Sequence, residues 1–348
     1  MRLSPNQRVA ILLHEGITGH HGKTGLAILR YSEAPIVAVI DRECAGKSLP
    51  ELTNIKRDVP IVASVAAALE YKPEVLVIGI APGGGALPDD YWLEIKDALE
   101  AGMSLVNGLH TPMANIPELN ALLKSGQVIW DVRKEPPNIS VASGMARTLS
   151  CRRVLTVGTD MAIGKMSTSL ELHWAAKQRG WRSKFLATGQ TGVMLEGDGV
   201  ALDAVRVDFA AGAVEQIVMR YGENHDILHI EGQGSLLHPG STATLPLIRG
   251  SQPTHLLLAH RARQVHVRNH PHVLIPPLPE VIRLYETVAS AGGAFGSVPV
   301  VGIALNTAHL DESAAEESIA QTIAETGLPC TDVVRFDANV LLDAVMKN

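Results

Sequence analysis

One segment restricts this chain more than any other: an apolar run, Arg153–Val157, followed by Gly158-Thr159-Asp160-Met161-Ala162-Ile163-Gly164-Lys165 and then by a helical stretch, Lys165–Arg179, that stops at Gly180. Phosphate oxygens need several backbone N–H donors converging on one point, and glycine lets the chain curl tightly enough to supply them. A helix beginning at the loop directs the positive end of its dipole at the anion. Lys165 adds a mobile positive charge. The C-terminal half is therefore expected to hold a phosphorylated ligand on a P-loop, with Gly158, Gly164 and Lys165 at its centre.

The spacing departs from the commonest form. Gly158 and Gly164 are separated by five residues rather than four, and Met166 stands where a hydroxyl normally ligates Mg²⁺. Soft thioether sulfur is a poor partner for Mg²⁺. Ser167, Thr168 or Ser169 compensates only if the helix start shifts. The five-residue form resembles the loop of dethiobiotin synthetase and related ATP-dependent ligases. Unlike theirs, this loop is suited to gripping a diphosphate without cleaving it, and no metal ligand set is expected.

Strand-sized apolar runs alternate with helices on both sides of this motif. In the first half, Val9–Leu13, Ile36–Ile40, Ile61–Ala63, Val75–Ile80 and Ser104–Asn107 are expected strands, with helices at Val65–Tyr71 and Asp90–Ala101. The second half restarts the pattern. Strands are expected at Lys184–Ala187, Ile227–Glu231, His255–Ala259, Val300–Leu305 and Asp332–Phe336, and helices at Ala314–Thr326 and Val340–Met346. Such alternation predicts an α/β protein with two parallel-sheet, three-layer domains. Lys134-Glu135-Pro136-Pro137-Asn138 has linker character, so the domains are set at 1–145 and 146–348.

Ligands on parallel sheets bind beyond the carboxyl ends of the strands. Three further segments lie there in the second half. Glu231-Gly232-Gln233-Gly234 ends an apolar strand: Glu231 is a candidate base or metal holder, and Gly232 and Gly234 let the backbone pass close to a ligand. His238, four residues on, is a candidate for acid–base work. Thr188-Gly189-Gln190-Thr191-Gly192 should border the same pocket, with Gln190 toward the cofactor. In the first half, Gly16–Thr24 has the look of a second phosphate loop. Gly84 in the Ile80–Pro88 loop and His110 after Asn107 are candidate pocket walls, placed as substrate contacts. Arg261, Arg263 and Arg268 form a small basic patch suited to one anionic small molecule, with Arg261 and Arg263 as candidate substrate contacts.

Composition excludes several classes. With 348 residues, 46% hydrophobic and 19% charged, the chain is long enough for two cores and too apolar for disorder. Its net charge of −6 includes no run of Lys and Arg, so nucleic acid is not an expected partner. No apolar run approaches the roughly 20 residues that span a membrane, and a cytoplasmic protein is expected. Cys44, Cys151 and Cys330 form no C-x-x-C pair.

Taken together, GTDMAIGK, GQTG and EGQGSLLHPG, with KTGLAILRY and IDRECAGKSL in the first half, resemble the D-glutamate N-acetyltransferase family. The resemblance covers nearly the whole chain. It implies a Rossmann-like N-terminal domain and a P-loop NTPase-like C-terminal domain. It also implies a transferase that moves acetyl from acetyl-CoA to the amine of a small D-amino acid such as D-glutamate. By that likeness Gly158, Thr159, Asp160, Gly164 and Lys165 hold the CoA phosphates, and Ser169 and Glu231 lie near the reacting groups. A homo-oligomer is expected. The competing functions are an ATP- and Mg²⁺-dependent ligase or kinase of the dethiobiotin synthetase type and a nucleotide-binding protein without turnover.

Overall fold

The computed structural model describes residues 3–81 and 87–347. Its contacts divide the chain into two compact units, residues 1–134 with 190–204, and residues 135–189 with 205–348.

Among the described residues, the first unit contains six strands: β1 (Val9–Leu12), β2 (Ile36–Ile40), β3 (Ile61–Val62), β4 (Val75–Ile78), β5 (Ser104–Asn107) and β6 (Ile129–Asp131). They pair in the order β3-β2-β1-β4-β5-β6, and every pairing is parallel. This is the Rossmann order, with its switch point between β1 and β4. β1 and β4 are buried at every position, so both faces of the sheet are covered. The strands read as unbroken apolar runs for that reason. The helix Lys23–Tyr31 crosses close to β4: Gly25 N–H donates to Gly79 O at 2.7 Å, and a Cβ on Gly79 would lie 3.1 Å from Gly25 Cα.

The second unit has its own six-stranded parallel sheet among the described residues. Its strands are β7 (Arg152–Gly158), β8 (Ser183–Leu186), β9 (Ile227–Ile230), β10 (His255–Arg261), β13 (Val300–Asn306) and β14 (Cys330–Thr331). The order is β14-β13-β10-β7-β9-β8. A short antiparallel hairpin, β11 (His266–Val267) with β12 (His270–Leu274), follows β10. Val154, Leu172, Leu257, Leu341 and Val345 belong to one buried cluster that joins β7 and β10 to the helices Lys165–Gln178 and Asn339–Lys347.

The strand expected over Asp332–Phe336 does not form. Pairing ends at Thr331, and the Asp332 carboxylate instead closes a turn, accepting from Thr307 N–H and hydroxyl and from the backbone of Val334 and Arg335. The expected helix Val65–Tyr71 is an α-helix over Val65–Ala68 that tightens to a 3-10 turn over Leu69–Tyr71. Helices over Val207–Gly222, Thr244–Ser251 and Leu278–Ala289 complete the second unit without a counterpart in the sequence reading. Among the described residues, no helix is long and apolar enough to cross a membrane.

Candidate functional site

β7 sits inside its sheet, and its carboxyl end becomes the loop from Gly158 to Gly164. The turn into the helix requires left-handed backbone at Ala162 (φ 53°) and Gly164 (φ 112°). The helix Lys165–Gln178 has no side-chain N-cap and no acid in its first turn. Its leading N–H groups therefore keep their capacity for an anion. Lys165 is buried and donates through Nζ to Asp160 O at 2.6 Å across the loop. Ser167 lies half-buried in the first turn. The glycine-opened, uncapped, lysine-bearing helix start is suited to a diphosphate.

The side chains around the loop are engaged in holding its shape. Asp160 is buried. Its Oδ1 accepts from Met161 N–H, and its Oδ2 accepts from the Gln264 amide at 2.5 Å and from Arg268 N–H at 2.6 Å. The acid thus fastens the loop to the segment between β10 and β12. Thr159 Oγ1 lies 2.9 Å from His260 Nδ1, and the Asn306 amide donates to Ile163 O at 3.1 Å. Tyr285, fully buried, donates its hydroxyl to Gly158 O at 2.7 Å and accepts from Leu236 N–H at 3.0 Å. Ser169 is buried beneath the loop, 2.8 Å from Thr156 Oγ1, and donates to Ile230 O, so its hydroxyl joins the helix to β7 and β9.

On one flank of β7, β9 delivers Glu231. Its carboxylate is 3% exposed. Oε2 accepts from Thr188 N–H at 2.9 Å and Gly189 N–H at 3.0 Å, and Oε1 accepts from the Gln233 amide at 3.0 Å. Burial pushes its pKa up to about 7, against the opposing pull of these donors and of Lys165. Gly232 follows in a place with no room for a side chain: a Cβ there would lie 1.7 Å from Thr156 O and 2.9 Å from Lys165 Cδ. Gly234 adopts φ +68°, and a Cβ on it would lie 1.9 Å from Ser241 Oγ.

His238 stands over the hairpin. Its ring is edge-on to His270 with centroids 4.9 Å apart, and its Nδ1 accepts from Gly240 N–H at 3.0 Å. Burial lowers its pKa, and the Asp160 carboxylate partly opposes this. On the other flank of β7, β10 ends at Arg261. Arg261, Arg263, Arg268 and His309 line a cavity of about 530 Å³ whose opposite wall is the loop residues Asp160–Ile163. Among the described residues, no group of three or more His, Cys, Asp or Glu side chains could hold a metal.

The remaining candidates fall within the first unit's residue ranges. Gln190 opens the helix Gln190–Glu196, which belongs with the first unit. There the Thr191 hydroxyl donates to Thr24 Oγ1, and a Cβ on Gly108 would meet Met194 Cε at 2.4 Å. His110 is exposed in the loop after β5 of the same unit. Gly84 falls outside the described residues. In the Gly16–Thr24 loop, a Cβ on Gly22 would lie 1.9 Å from Gly16 O, so tight closure fixes these glycines. Asp41, fully buried, accepts from Ile17 and Glu43 N–H and braces that loop. Sequence reasoning missed Asn306 and Gln264. Asn306 was marked by its position as the polar residue ending an apolar strand, whereas nothing local marks Gln264.

This architecture defines an α/β protein of two units, one Rossmann-like and one carrying a P-loop. Residues 140–342 match a family described as a domain of unknown function, the DUF1611_C P-loop domain, and residues 42–135 match the DUF1611_N Rossmann-like domain. The chain belongs to the DUF1611 family. The crystal structure of a DUF1611 family protein from Anabaena variabilis is 84% identical, with a TM-score of 0.96, covering 99% of this chain and 100% of that one. A curated relative from Tritonibacter scottomollicae, named D-glutamate N-acetyltransferase, is 38% identical over 274 residues, 78% of this chain and 81% of the relative. Another of that name, from a Pseudoalteromonas species, is 39% identical over 277 residues, with the same coverage.

Proposed function

We propose that this protein transfers the acetyl group of acetyl-CoA to the amine of D-glutamate. The observation that carries the reading is Glu231: a carboxylate beside the P-loop lysine, buried, held by two backbone N–H groups, with its pKa raised to about 7. A group that titrates at neutral pH is matched to removing a proton from an ammonium substrate. The name shared by the two curated relatives supports the reaction and the acceptor.

In this reading Gly158, Gly164 and the N–H groups opening the helix hold the diphosphate, with Lys165 beside it and Ser167 at the rim. Bound acetyl-CoA supplies the thioester whose carbonyl carbon the free amine attacks; the C–S bond breaks, and the proton lost by the acylated nitrogen goes to the leaving thiolate, so that CoA departs as its thiol. Glu231 takes the amine proton through a lone pair of Oε1 that Gln233 leaves open. Thr188 and Gly189 hold the other oxygen and fix the carboxylate's direction. His238 is less suited to be the base. Its Nδ1 already accepts from Gly240, so the neutral ring carries its proton on Nε2 and is set to donate. Asp160, Thr159 and Ser169 act by keeping the loop in its binding shape.

The test is an assay with acetyl-CoA and either D- or L-glutamate, following thiol release and N-acetylglutamate by mass spectrometry. Product with the D-isomer, and a raised melting midpoint with acetyl-CoA, are expected. A midpoint raised by ATP–Mg²⁺ alone, with ADP formed, would replace this reading by a ligase or kinase.

A further inference from the structure

The cavity on the β10 flank calls for a different ligand group from the one at Glu231. The sheet order places β9 on one side of β7 and β10 on the other. A ligand held at its diphosphate by the loop after β7 has Glu231 on one flank and an open cavity on the other. Glu231 marks the flank of the reacting end. The other end faces the cavity of about 530 Å³, a volume within the usual range for small-molecule pockets.

That cavity is strongly cationic for its size. Arg261, Arg263 and Arg268 line it, together with His309, a ring whose pKa is lowered by burial and by Arg261. Among the described residues, the guanidinium groups of Arg261 and Arg268 have no carboxylate partner. Arg263 pairs with Glu317 at 3.1 Å, but both side chains are more than half exposed, so the pair is readily exchanged for a stronger anion. The cavity's acid, Asp160, is turned into the hairpin by its bonds to Gln264 and Arg268 N–H. The loop wall is held open by Asn306, which pins Ile163 O.

We propose that this cavity receives the adenosine end of CoA and that Arg261 and Arg268, with Arg263 in support, recognise its 3′-phosphate. The assignment rests on the acetyl-CoA reading given above. It moves these arginines away from the carboxylates of the amino-acid substrate, because that substrate must meet the acyl group at the opposite end of the ligand. It also separates CoA from ATP by a group that ATP lacks.

Calorimetry with CoA and with 3′-dephospho-CoA tests the assignment on the full chain. The wild type is expected to bind CoA roughly tenfold or more tightly than the dephospho form, as a charge-assisted phosphate contact implies. In the Arg261→Ala/Arg268→Ala double variant, CoA affinity should fall to the dephospho-CoA level. Retained dephospho-CoA binding there shows that the variant is folded. Equal affinity of the wild type for the two ligands would overturn the 3′-phosphate site and leave the acetyl-CoA reading standing. A double variant that still discriminates between them, or that loses both ligands while its circular dichroism is unchanged, would also overturn it. Failure of the wild type to bind either ligand would overturn both proposals.

Discussion

Thr188 clasps Glu231 at both ends: its hydroxyl donates to the Glu231 carbonyl at 2.6 Å, and its backbone N–H donates to the Glu231 carboxylate at 2.9 Å. The edge strand β8 thereby sets the direction of an acid carried by β9. Replacing Thr188 with Val keeps the shape and removes only the hydroxyl. Loss of that bond is expected to cost about 1 kcal/mol of stability and leave the Glu231 carbonyl wanting a donor. Turnover should fall with little change in acetyl-CoA affinity, which steady-state kinetics and calorimetry together would show.

Glu231→Gln removes the proton acceptor while keeping the size. A loss in kcat of about 10²-fold or more is expected. In the wild type, kcat/KM should rise with pH through an apparent pKa near 7, and this rise should vanish from the variant's residual activity. Stability carries the opposite sign. The folded state keeps a proton that the unfolded chain has lost, so this stabilisation is full below about pH 4.5 and disappears as pH rises through about 7. Urea unfolding at pH 5 and pH 8 should show the variant gaining on the wild type at the higher pH.

Gly232→Ala tests the packing beneath the loop. The added methyl would meet a backbone oxygen of β7 at 1.7 Å, so relief requires backbone movement. A destabilisation of about 1–3 kcal/mol is expected, with a matching loss of acetyl-CoA binding because Lys165 Cδ is displaced as well. A variant with wild-type melting temperature and affinity would mean that the strand end moves freely.

Buried histidines predict acid sensitivity. Burial lowers His173 and His229 to about 3 and His260 to about 4. These rings stay neutral in the fold but gain protons in the unfolded chain below its usual histidine pKa of about 6.5. Their contribution is therefore present above about pH 6.5 and lost as pH falls toward 3. Among the described residues, neither of the two buried ring nitrogens of His229 has a hydrogen-bond partner. His229→Phe should flatten the dependence of the urea midpoint on pH between 6.5 and 4 without lowering the midpoint at pH 8.

The loop at Gly158 was legible in the sequence because strand, glycine and helix are local signals, each written within a few residues. Glu231 was legible too, as an acid ending an apolar run. Its raised pKa was not, because it follows from burial, which outweighs the opposing donors Thr188 and Gly189 more than forty positions away. The roles of Asp160 and Ser169 show the same limit. Both lie where a ligand contact is expected, and their hydrogen bonds to Arg268 N–H and Ile230 O reach distant segments that no local pattern links to the loop. Asp332–Phe336 misled for a different reason. Its β-branched and aromatic residues fit a strand, but the Asp332 carboxylate captured the backbone of a turn.

Residues 190–204 leave the P-loop unit, pack into the first unit and return. Val193, Met194, Val200, Ala201 and Leu202 of this excursion are all buried. On the ribosome, the first unit therefore cannot be finished when its own 134 residues have emerged. It waits until β7, the phosphate loop and β8 have also been made, and its last pieces arrive as an insertion from a neighbour still under construction. A chain cut after Lys134 would lack Val193, Met194 and Leu202 from its interior, so the first unit depends on residues encoded beyond β8.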